Sequence, residues 1–408
     1  MAAPAPARPV AALGLVLLLG LAVLLNYIDR GAIAIAAPLL KPELGLTATQ
    51  FGLAVSAFFW IYAPIQFAVG YACDRWCVYR LLAAGLALWA LSTIAIGFVG
   101  GIGALVAFRL LLGLGESITF PGASKVIARH VAAENRGIAN STFALGIALG
   151  PVVGTLAGGL MVAAYGWRPM FFLFGAVTLL WVPVWLFKAR RLPQFAPGKR
   201  EAAPAFSAVA RQKAPWIMGV THFTATYPVY FIVSWIPLYL VQSRGFSLTE
   251  MTYIATLGFI AQAVSALVQG WASDRWTRSG RDEAAFRRWS CALAQLVLAV
   301  GVIGLMAART PGTITIWLMV VGAANASAGL NLFAVAQMFA GPRASGSFIG
   351  IQNAIGNLAG IVGPIVTGMI IDTTGSYDNA YWLTAAVCLA GAFCWAFLVP
   401  TIRPLTLE

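Results

Sequence analysis

Long apolar segments alternate with short polar segments along the whole chain. Twelve of the apolar segments are 20 residues or longer, and about 20 mostly apolar residues are needed to cross a bilayer as a helix. The pattern therefore predicts an all-α membrane protein with twelve spans. These spans are 11–37, 49–72, 80–99, 102–124, 137–163, 169–189, 214–241, 249–272, 288–308, 314–338, 346–371 and 379–400.

The composition supports the same class. Hydrophobic residues make up 60% of the chain and charged residues 10%, whereas soluble globular domains contain about 25% charged residues. Mean hydropathy is +0.85. These proportions exclude a soluble enzyme and a disordered chain.

The sequence lacks the motifs of several other functions. It has no phosphate-binding Gly-x-x-x-x-Gly-Lys-Ser/Thr loop, so ATP-driven transport by this chain is not expected. We find no convergent set of nucleophile and base, so we predict that the protein is not an enzyme and has no cofactor. The five cysteines have no metal-ligand spacing, so we expect neither a metal site nor disulfides.

The two halves of the chain resemble each other. The longest polar stretch, 190–213, follows the sixth predicted span and predicts a cytoplasmic linker between two six-helix bundles, 1–189 and 214–408. Gly70–Trp76 (Gly-Tyr-Ala-Cys-Asp-Arg-Trp) matches Gly270–Trp276 (Gly-Trp-Ala-Ser-Asp-Arg-Trp) at five of seven positions. Each copy follows the second span of its half. Tandem repeats of this kind are typical of secondary transporters.

The net charge of +13 is distributed unevenly. If both termini are cytoplasmic, the cytoplasmic loops carry 20 of the 26 lysines and arginines, and the outer loops carry four. Cytoplasmic loops of membrane proteins are rich in these residues, so the asymmetry predicts the orientation. We therefore expect the basic face to contact membrane lipid and not nucleic acid.

Two motifs resemble those of a known family. Segment 70–80 (Gly-x-x-x-Asp-Arg-x-x-x-x-Arg) resembles the loop motif of the major facilitator superfamily, and segment 109–115 (Arg-x-x-x-Gly-x-Gly) resembles its fourth-helix motif. The sequence departs from the loop motif at Cys77, where the family usually has glycine. The resemblance implies two pseudo-symmetric bundles of six helices and transport by alternating access.

The loop motif and its repeat contain candidate gating residues. The functional interpretation is a latch of charge pairs between helix ends that opens as the transporter changes conformation. The alternative is a solvated turn at each place. The predicted gating residues are Asp74, Arg75, Arg80, Asp274 and Arg275.

A narrower resemblance is to the anion:cation symporter family, which includes galactonate and hexuronate transporters. It rests on segments 26–30 (Asn-Tyr-Ile-Asp-Arg), 109–116, 120–122, 353–360 and 372–376. The resemblance implies proton-coupled transport of sugar acids or other organic anions. It does not specify the substrate.

Four ionisable residues lie inside the predicted spans: Asp29, Arg30, Arg109 and Glu116. A charge at the centre of a membrane helix costs about 2.5–3.5 kcal/mol, so such residues usually face a cavity or a partner. Asp29 and Arg30 are adjacent, so their side chains diverge by about 100° on a helix. Arg30 could then face the substrate while Asp29 faces a neighbouring helix.

Roles for these four follow from their chemistry. The planar guanidinium of arginine suits a carboxylate, so Arg30 is the predicted ligand of the substrate anion, with Arg109 as a second candidate. Asp29 and Glu116 are predicted proton carriers, and the resemblance implies the same for both positions. The alternative is that all four form structural salt bridges, for example Arg109 with Asp29 across a helix interface.

Other polar residues in the spans are candidate substrate ligands. Tyr27 and Tyr62 match substrate-contacting positions by resemblance, with core or interface packing as the alternative. Asn353 and Asn357 are four apart and share a helix face, with Gln352 beside them. Amides of this kind bind hydroxyls and carboxylates, or bridge helices.

Together these features predict proton-coupled symport of a small organic anion, and a sugar acid such as an aldonate or hexuronate is favoured. Alternatives are a symporter of aromatic or short carboxylates and a drug or metabolite antiporter, which a partial glycine motif in the fifth span would suit. A membrane sensor is a third class, which the lack of a sizeable soluble domain disfavours. We expect a monomer in the bacterial inner membrane.

Overall fold

The computed structural model describes residues 9–131, 135–192 and 206–405. These residues form helices and connecting turns, and no strand occurs among them. Twelve helical segments in this part of the chain are long and apolar enough to span a membrane. They are Leu13–Glu43, Ala48–Gln66, Val78–Ile96, Ile102–His130, Ala139–Tyr165, Trp167–Ala189, Lys213–Ser243, Leu248–Arg278, Glu283–Ala307, Pro311–Gly341, Gly346–Thr374 and Asp378–Leu398. The predicted all-α, twelve-span class is confirmed.

Several spans are interrupted, so helices and spans do not correspond one to one. The helices are α1 (Pro9–Arg30), α2 (Ala32–Glu43), α3 (Ala48–Arg75), α4 (Val78–Ile96), α5 (Ile102–Glu116), α6 (Thr119–His130), α7 (Arg136–Tyr165), α8 (Trp167–Ala189), α9 (Phe206–Ala210), α10 (Lys213–Leu238), α11 (Leu248–Arg278), α12 (Glu283–Ala307), α13 (Pro311–Thr374) and α14 (Asp378–Phe393). Short π-helical turns, Tyr239–Ser243 and Cys394–Leu398, extend α10 and α14. The first span comprises α1 and α2, and the fourth comprises α5 and α6.

The chain forms two compact units. One comprises Met1–Gly45 and Ala57–Gly198, and the other comprises Leu46–Ser56 and Lys199–Glu408. Most of the predicted linker, 190–213, lies outside the described residues, so its role as a domain boundary stays a prediction.

In the first unit, α7 packs closely against α1 through three glycines. A Cβ atom added at Gly146 would lie 3.0 Å from the backbone nitrogen of Leu24, and one at Gly154 would lie 2.7 Å from the carbonyl oxygen of Ile28. At Gly150 it would lie 2.4 Å from the Tyr27 Cβ. Small residues allow helix backbones to approach in this way. The glycines of the fifth span therefore hold the helix that carries Asp29 and Arg30.

Replacing Gly154 by leucine is expected to lower the stability of the fold by about 1–3 kcal/mol, because the larger side chain would have to displace backbone atoms of α1. Thermal unfolding followed by size-exclusion chromatography measures the effect. Gly103→Leu is the matched control, since nothing lies within 4 Å of a Cβ at Gly103. Equal melting temperatures for the two variants would contradict this account of the packing.

In the second unit, the carboxylate of Asp372 near the end of α13 binds the start of α3. Its two oxygens accept hydrogen bonds from the backbone N–H groups of Ala48 (2.9 Å) and Thr49 (2.7 Å). Phe51 packs edge-to-face on Trp235 of α10, with ring centroids 5.4 Å apart. These contacts explain why the first turns of α3 belong to this unit. They also satisfy N–H groups that a helix start leaves without intrahelical partners.

The long helix α13 contains two predicted spans, 314–338 and 346–371. Its direction changes at Gly341, where φ is 58° and ψ is −177°. A side chain at this φ would be strained, so glycine suits the position. The turn between the tenth and eleventh spans is therefore a sharp bend and not a loop.

Candidate functional site

A partly buried ion pair joins the first and fourth spans. Arg30 Nε donates a hydrogen bond to Glu116 Oε2 over 3.2 Å. The Arg30 side chain is 22% exposed, and that of Glu116 is fully buried. Arg30 is the last residue of α1 and Glu116 the last of α5, and the residues that follow them keep helical backbone angles. Both charges therefore lie inside their spans, where a charged group usually faces a cavity or a partner.

Three aromatic rings surround the Arg30 guanidinium. Its Cζ lies 4.9 Å from the ring centroid of Tyr27, 4.8 Å from that of Tyr62 and 5.5 Å from that of Phe58. Aromatic faces attract cations at these distances. The rings therefore stabilise a positive charge at this position, and the N–H groups of the guanidinium are donors that bind carboxylates.

Asp29 faces a different helix from Arg30, as the spacing of adjacent residues requires. Its side chain is buried, and Oδ2 accepts hydrogen bonds from Trp89 Nε1 and Thr93 Oγ1 of α4, both over 2.6 Å. Arg109 lies within electrostatic range of Asp29, but the hydrogen bonds of the carboxylate go to these two neutral donors. The proposed Asp29–Arg109 bridge is therefore not the contact that holds Asp29 in this conformation.

Arg109 is buried and lies near the same aromatic group. Its Cζ is 5.2 Å from the ring centroid of Phe58, so this ring contacts both Arg30 and Arg109. A Cβ atom at Gly113 would lie 2.3 Å from the carbonyl oxygen of Phe58. Glycine at this position of the fourth-helix motif thus lets α5 approach α3, which brings Arg109 to the ring.

The amides of the second unit form a polar segment of α13. Gln352 is fully buried, and neither atom of its amide has a hydrogen-bond partner among the described residues. Asn353 and Asn357 are half-buried, and Asn357 Nδ2 donates to the carbonyl oxygen of Asn353 over 2.9 Å. His222 of α10 packs against this segment, since a Cβ at Gly356 would meet its ring. Nothing in the described part of the chain groups three or more potential metal-binding side chains.

The sequence matches the Major Facilitator Superfamily over residues 19–281 and 245–407. The chain belongs to this superfamily. It is therefore an integral membrane transporter and not an enzyme, as the sequence predicted.

Several relatives within the superfamily align with almost the whole chain. A hexuronate transporter of Bacillus subtilis (strain 168) is 30% identical over 412 residues, covering 96% of this chain and 95% of the relative. A probable sulfoacetate transporter, SauU, of Cupriavidus necator is 31% identical over 408 residues, covering 92% and 91%. A probable galactarate/D-glucarate transporter, GudP, of Bacillus subtilis (strain 168) is 27% identical over 430 residues, covering 97% and 93%. The similarity indicates a transporter of organic anions.

A solved structure shows the same fold. The crystal structure of a bacterial homolog of the human lysosomal transporter Spinster, in an inward-facing and unoccupied conformation, matches with a TM-score of 0.79. The match covers 96% of each chain at 18% sequence identity. This likeness agrees with the major facilitator fold that the motifs implied.

The superfamily loop motif in the first half lies at the end of α3. The side chain of Asp74 is outside the described part of the structure. Arg75, the last residue of α3, is exposed, and so is Arg80 in the first turn of α4. The predicted latch at this place stays a prediction.

The second copy of the motif lies on α11. Asp274 forms an ion pair of 3.7 Å with Arg278, one turn further along the helix, and the two side chains are 67% and 79% exposed. The Cζ of Arg275 lies 5.8 Å from the ring centroid of Trp271. Exposed pairs of this kind contribute little stability, so a gating role for Asp274 would depend on another conformation.

Three residues of the site were not predicted from the sequence. Phe58 contacts both arginines, and Trp89 and Thr93 hold Asp29. A signal was present for the last two, because a tryptophan and a threonine four residues apart share one face of a helix. Phe58 is likewise four residues before Tyr62.

Proposed function

We propose that this protein is a secondary active transporter that carries a small organic anion together with a proton by alternating access. The observation that carries the proposal is the Arg30–Glu116 pair, in which aromatic rings surround a guanidinium bound to a fully buried carboxylate. A partly buried arginine suits a carboxylate ligand. The carboxylate already bound to it supplies a proton site.

Coupling follows from competition for one guanidinium. When Glu116 is ionised, its carboxylate occupies Arg30 Nε and competes with a substrate anion. When Glu116 is protonated, it loses its charge, and Arg30 binds the substrate carboxylate instead. Substrate and proton are then bound at the same time, which is the requirement for symport. Asp29, held by Trp89 and Thr93, is the second proposed proton carrier.

A sugar acid is the substrate that the proposal favours. Relatives are named for hexuronate and for galactarate and D-glucarate, which combine carboxylates with several hydroxyls. The amides of Gln352, Asn353 and Asn357, and the hydroxyls of Tyr27 and Tyr62, are proposed ligands for such hydroxyls. Arg109 is proposed as a second group that attracts the anion.

A short organic anion is the second candidate. The relative named for sulfoacetate is 31% identical to this chain, a value similar to that of the hexuronate transporter. Sulfoacetate has two anionic groups and no hydroxyl. A transporter of such an anion would depend on the arginines and much less on the amides of α13.

The transporter is proposed to be a monomer in a bacterial inner membrane. Both termini then lie in the cytoplasm, because the basic loops face inward in this orientation. The domains are the two predicted six-helix bundles. Asp74, Arg75, Arg80, Asp274 and Arg275 are proposed to act in gating at the cytoplasmic helix ends.

Uptake into proteoliposomes tests the proposal. The purified protein is offered galacturonate, glucarate, gluconate, sulfoacetate and benzoate under an inward proton gradient, an inward sodium gradient or no gradient. We expect accumulation of at least one hydroxylated acid only under the proton gradient. Accumulation driven by sodium alone, or by an outward proton gradient, would exclude proton symport. Accumulation of sulfoacetate but no sugar acid would favour the second candidate.

A further inference from the structure

Three fully buried polar side chains of the first unit have atoms without a hydrogen-bond partner among the described residues. They are the amide nitrogen and oxygen of Asn26, the hydroxyl of Thr119 and Oε1 of Glu116. Nearly all buried polar groups in proteins are partnered, and each that is not destabilises the fold. Four such atoms in two neighbouring spans therefore indicate a ligand.

Two contacts show that these atoms belong to one interface. Arg30 of α1 binds Glu116, and the ring of Tyr27 packs edge-to-face on Phe120 of α6, with centroids 6.3 Å apart. Tyr27 precedes Arg30 in the first span, whereas its partner Phe120 follows Glu116 in the fourth span. The two spans therefore run antiparallel here, and the two contacts are about one helical turn apart.

The unpartnered groups lie within about one helical turn of the Arg30–Glu116 contact. Asn26 is four residues before Arg30, and positions four apart lie one above the other on a helix face. Thr119 is three residues after Glu116, and the intervening Ser117 and Ile118 have helical backbone angles. Asn26 and Thr119 each directly precede a member of the Tyr27–Phe120 contact. Both thus lie in the layer next to the Arg30–Glu116 pair.

We propose that Asn26, Thr119 and Glu116 Oε1 form a buried hydration site, in which ordered water delivers the proton to Glu116. A buried water typically makes two to four hydrogen bonds to otherwise unsatisfied polar groups, and these groups offer four atoms. The Asn26 amide and the Thr119 hydroxyl can each donate and accept, so they can hold water whichever protonation state Glu116 has. Water at this place is a hydrogen-bonded route to the oxygen of Glu116 that Arg30 does not bind.

The charged residues around the site are Asp29, Arg30, Arg109 and Glu116. Arg30 binds Glu116 directly, and Asp29 and Arg109 lie within electrostatic range of it. The neutral Asn26 and Thr119 add no charge to this group. Removing their polar atoms is therefore expected to slow proton delivery without changing the balance between Arg30 and the substrate.

The test uses Thr119→Val, which preserves side-chain shape, and Asn26→Leu. Ser117→Ala is the matched control, because Ser117 is buried beside Glu116 but its hydroxyl already donates to the Leu114 carbonyl oxygen over 2.7 Å. Net uptake under a proton gradient is compared with substrate exchange at equal pH, which needs no net proton movement. We expect net uptake to fall about tenfold, equivalent to about 1.4 kcal/mol, with exchange preserved.

Infrared difference spectroscopy supplies a readout independent of transport. The carbonyl stretching band of protonated Glu116 is identified by its loss in Glu116→Gln. It is expected to shift, and to exchange more slowly on transfer from H₂O to D₂O, in Thr119→Val and Asn26→Leu but not in Ser117→Ala. Wild-type net uptake together with an unchanged band in both variants would overturn the hydration site.

The hydration site rests on the proposed proton coupling, but the two fail differently. If Glu116→Gln still accumulates substrate under a proton gradient, the proposed role of Glu116 in coupling is wrong. The infrared band and its exchange with D₂O still decide whether water binds beside Glu116 in that case. If Glu116→Gln loses accumulation while both polar variants keep wild-type uptake and spectra, only the hydration site is wrong.

Discussion

Replacing Arg30 by glutamine is expected to reduce organic anion uptake by about tenfold to a hundredfold. A hydrogen bond between charged groups contributes about 1.5–3 kcal/mol, and about 1.4 kcal/mol corresponds to a factor of ten. In the Arg30→Gln variant, the substrate carboxylate no longer faces a positive charge or a second N–H donor. It therefore loses at least one hydrogen bond of this kind. The initial rate of uptake and the dissociation constant of the substrate are the quantities to measure.

Two further variants separate binding from stability. Arg30→Gln leaves Glu116 buried without its ion-pair partner, which is costly when the carboxylate is charged. The double variant Arg30→Gln, Glu116→Gln removes this cost and is still expected to lack uptake. Arg168→Gln, a change at a partly exposed arginine paired with Glu43, is the control for loss of an arginine elsewhere in the unit.

Lysine at position 30 tests the geometry of the site. It preserves the charge but replaces a planar group, held among three rings, by a point charge on a flexible stem. We expect Arg30→Lys to bind substrate at least about tenfold more weakly than the original protein, because the paired N–H donors are lost. Wild-type uptake by both Arg30→Lys and Arg30→Gln would exclude Arg30 as the ligand of the anion.

The fold could be predicted from the sequence because membrane helices are long and their apolar character is continuous. Twelve spans follow from hydropathy alone, and the repeat of Gly70–Trp76 at Gly270–Trp276 indicates two related halves. The ends of the spans are predicted less accurately than their number. The first span extends to Glu43, beyond the predicted residue 37, because a membrane helix can continue past its apolar segment. The sharp bend at Gly341 likewise has no hydropathy signal.

The partners of the buried charges could not be predicted in the same way. Adjacent positions must diverge on a helix, so the sequence places Asp29 and Arg30 on different faces. It does not say which helix each face meets. The choice of Glu116 for Arg30, and of Trp89 and Thr93 for Asp29, depends on how α1, α4 and α5 pack. That packing is determined by close approaches at glycines, which hydropathy does not detect.

Glutamine at position 116 is expected to abolish accumulation while preserving exchange. The amide cannot carry a proton, so anion movement is no longer linked to the proton gradient. A difference of one pH unit corresponds to about 1.4 kcal/mol and supports up to about tenfold accumulation with one proton per substrate. The concentration ratio across the membrane should therefore fall from about ten to about one. Exchange of labelled for unlabelled substrate at equal pH measures the retained function.

The pH dependence of binding gives the sign of the coupling. In the original protein, lowering the pH protonates Glu116 and releases Arg30, so the substrate should bind more tightly as the pH falls. In Glu116→Gln, Arg30 has no charged competitor at any pH, so binding should be tight and independent of pH. Binding by the original protein that weakens as the pH falls would contradict the competition between Glu116 and substrate. Binding that does not change with pH would instead mean that Glu116 stabilises the contact between α1 and α5 without taking up the proton, since a purely structural ion pair has no reason to tighten binding in acid.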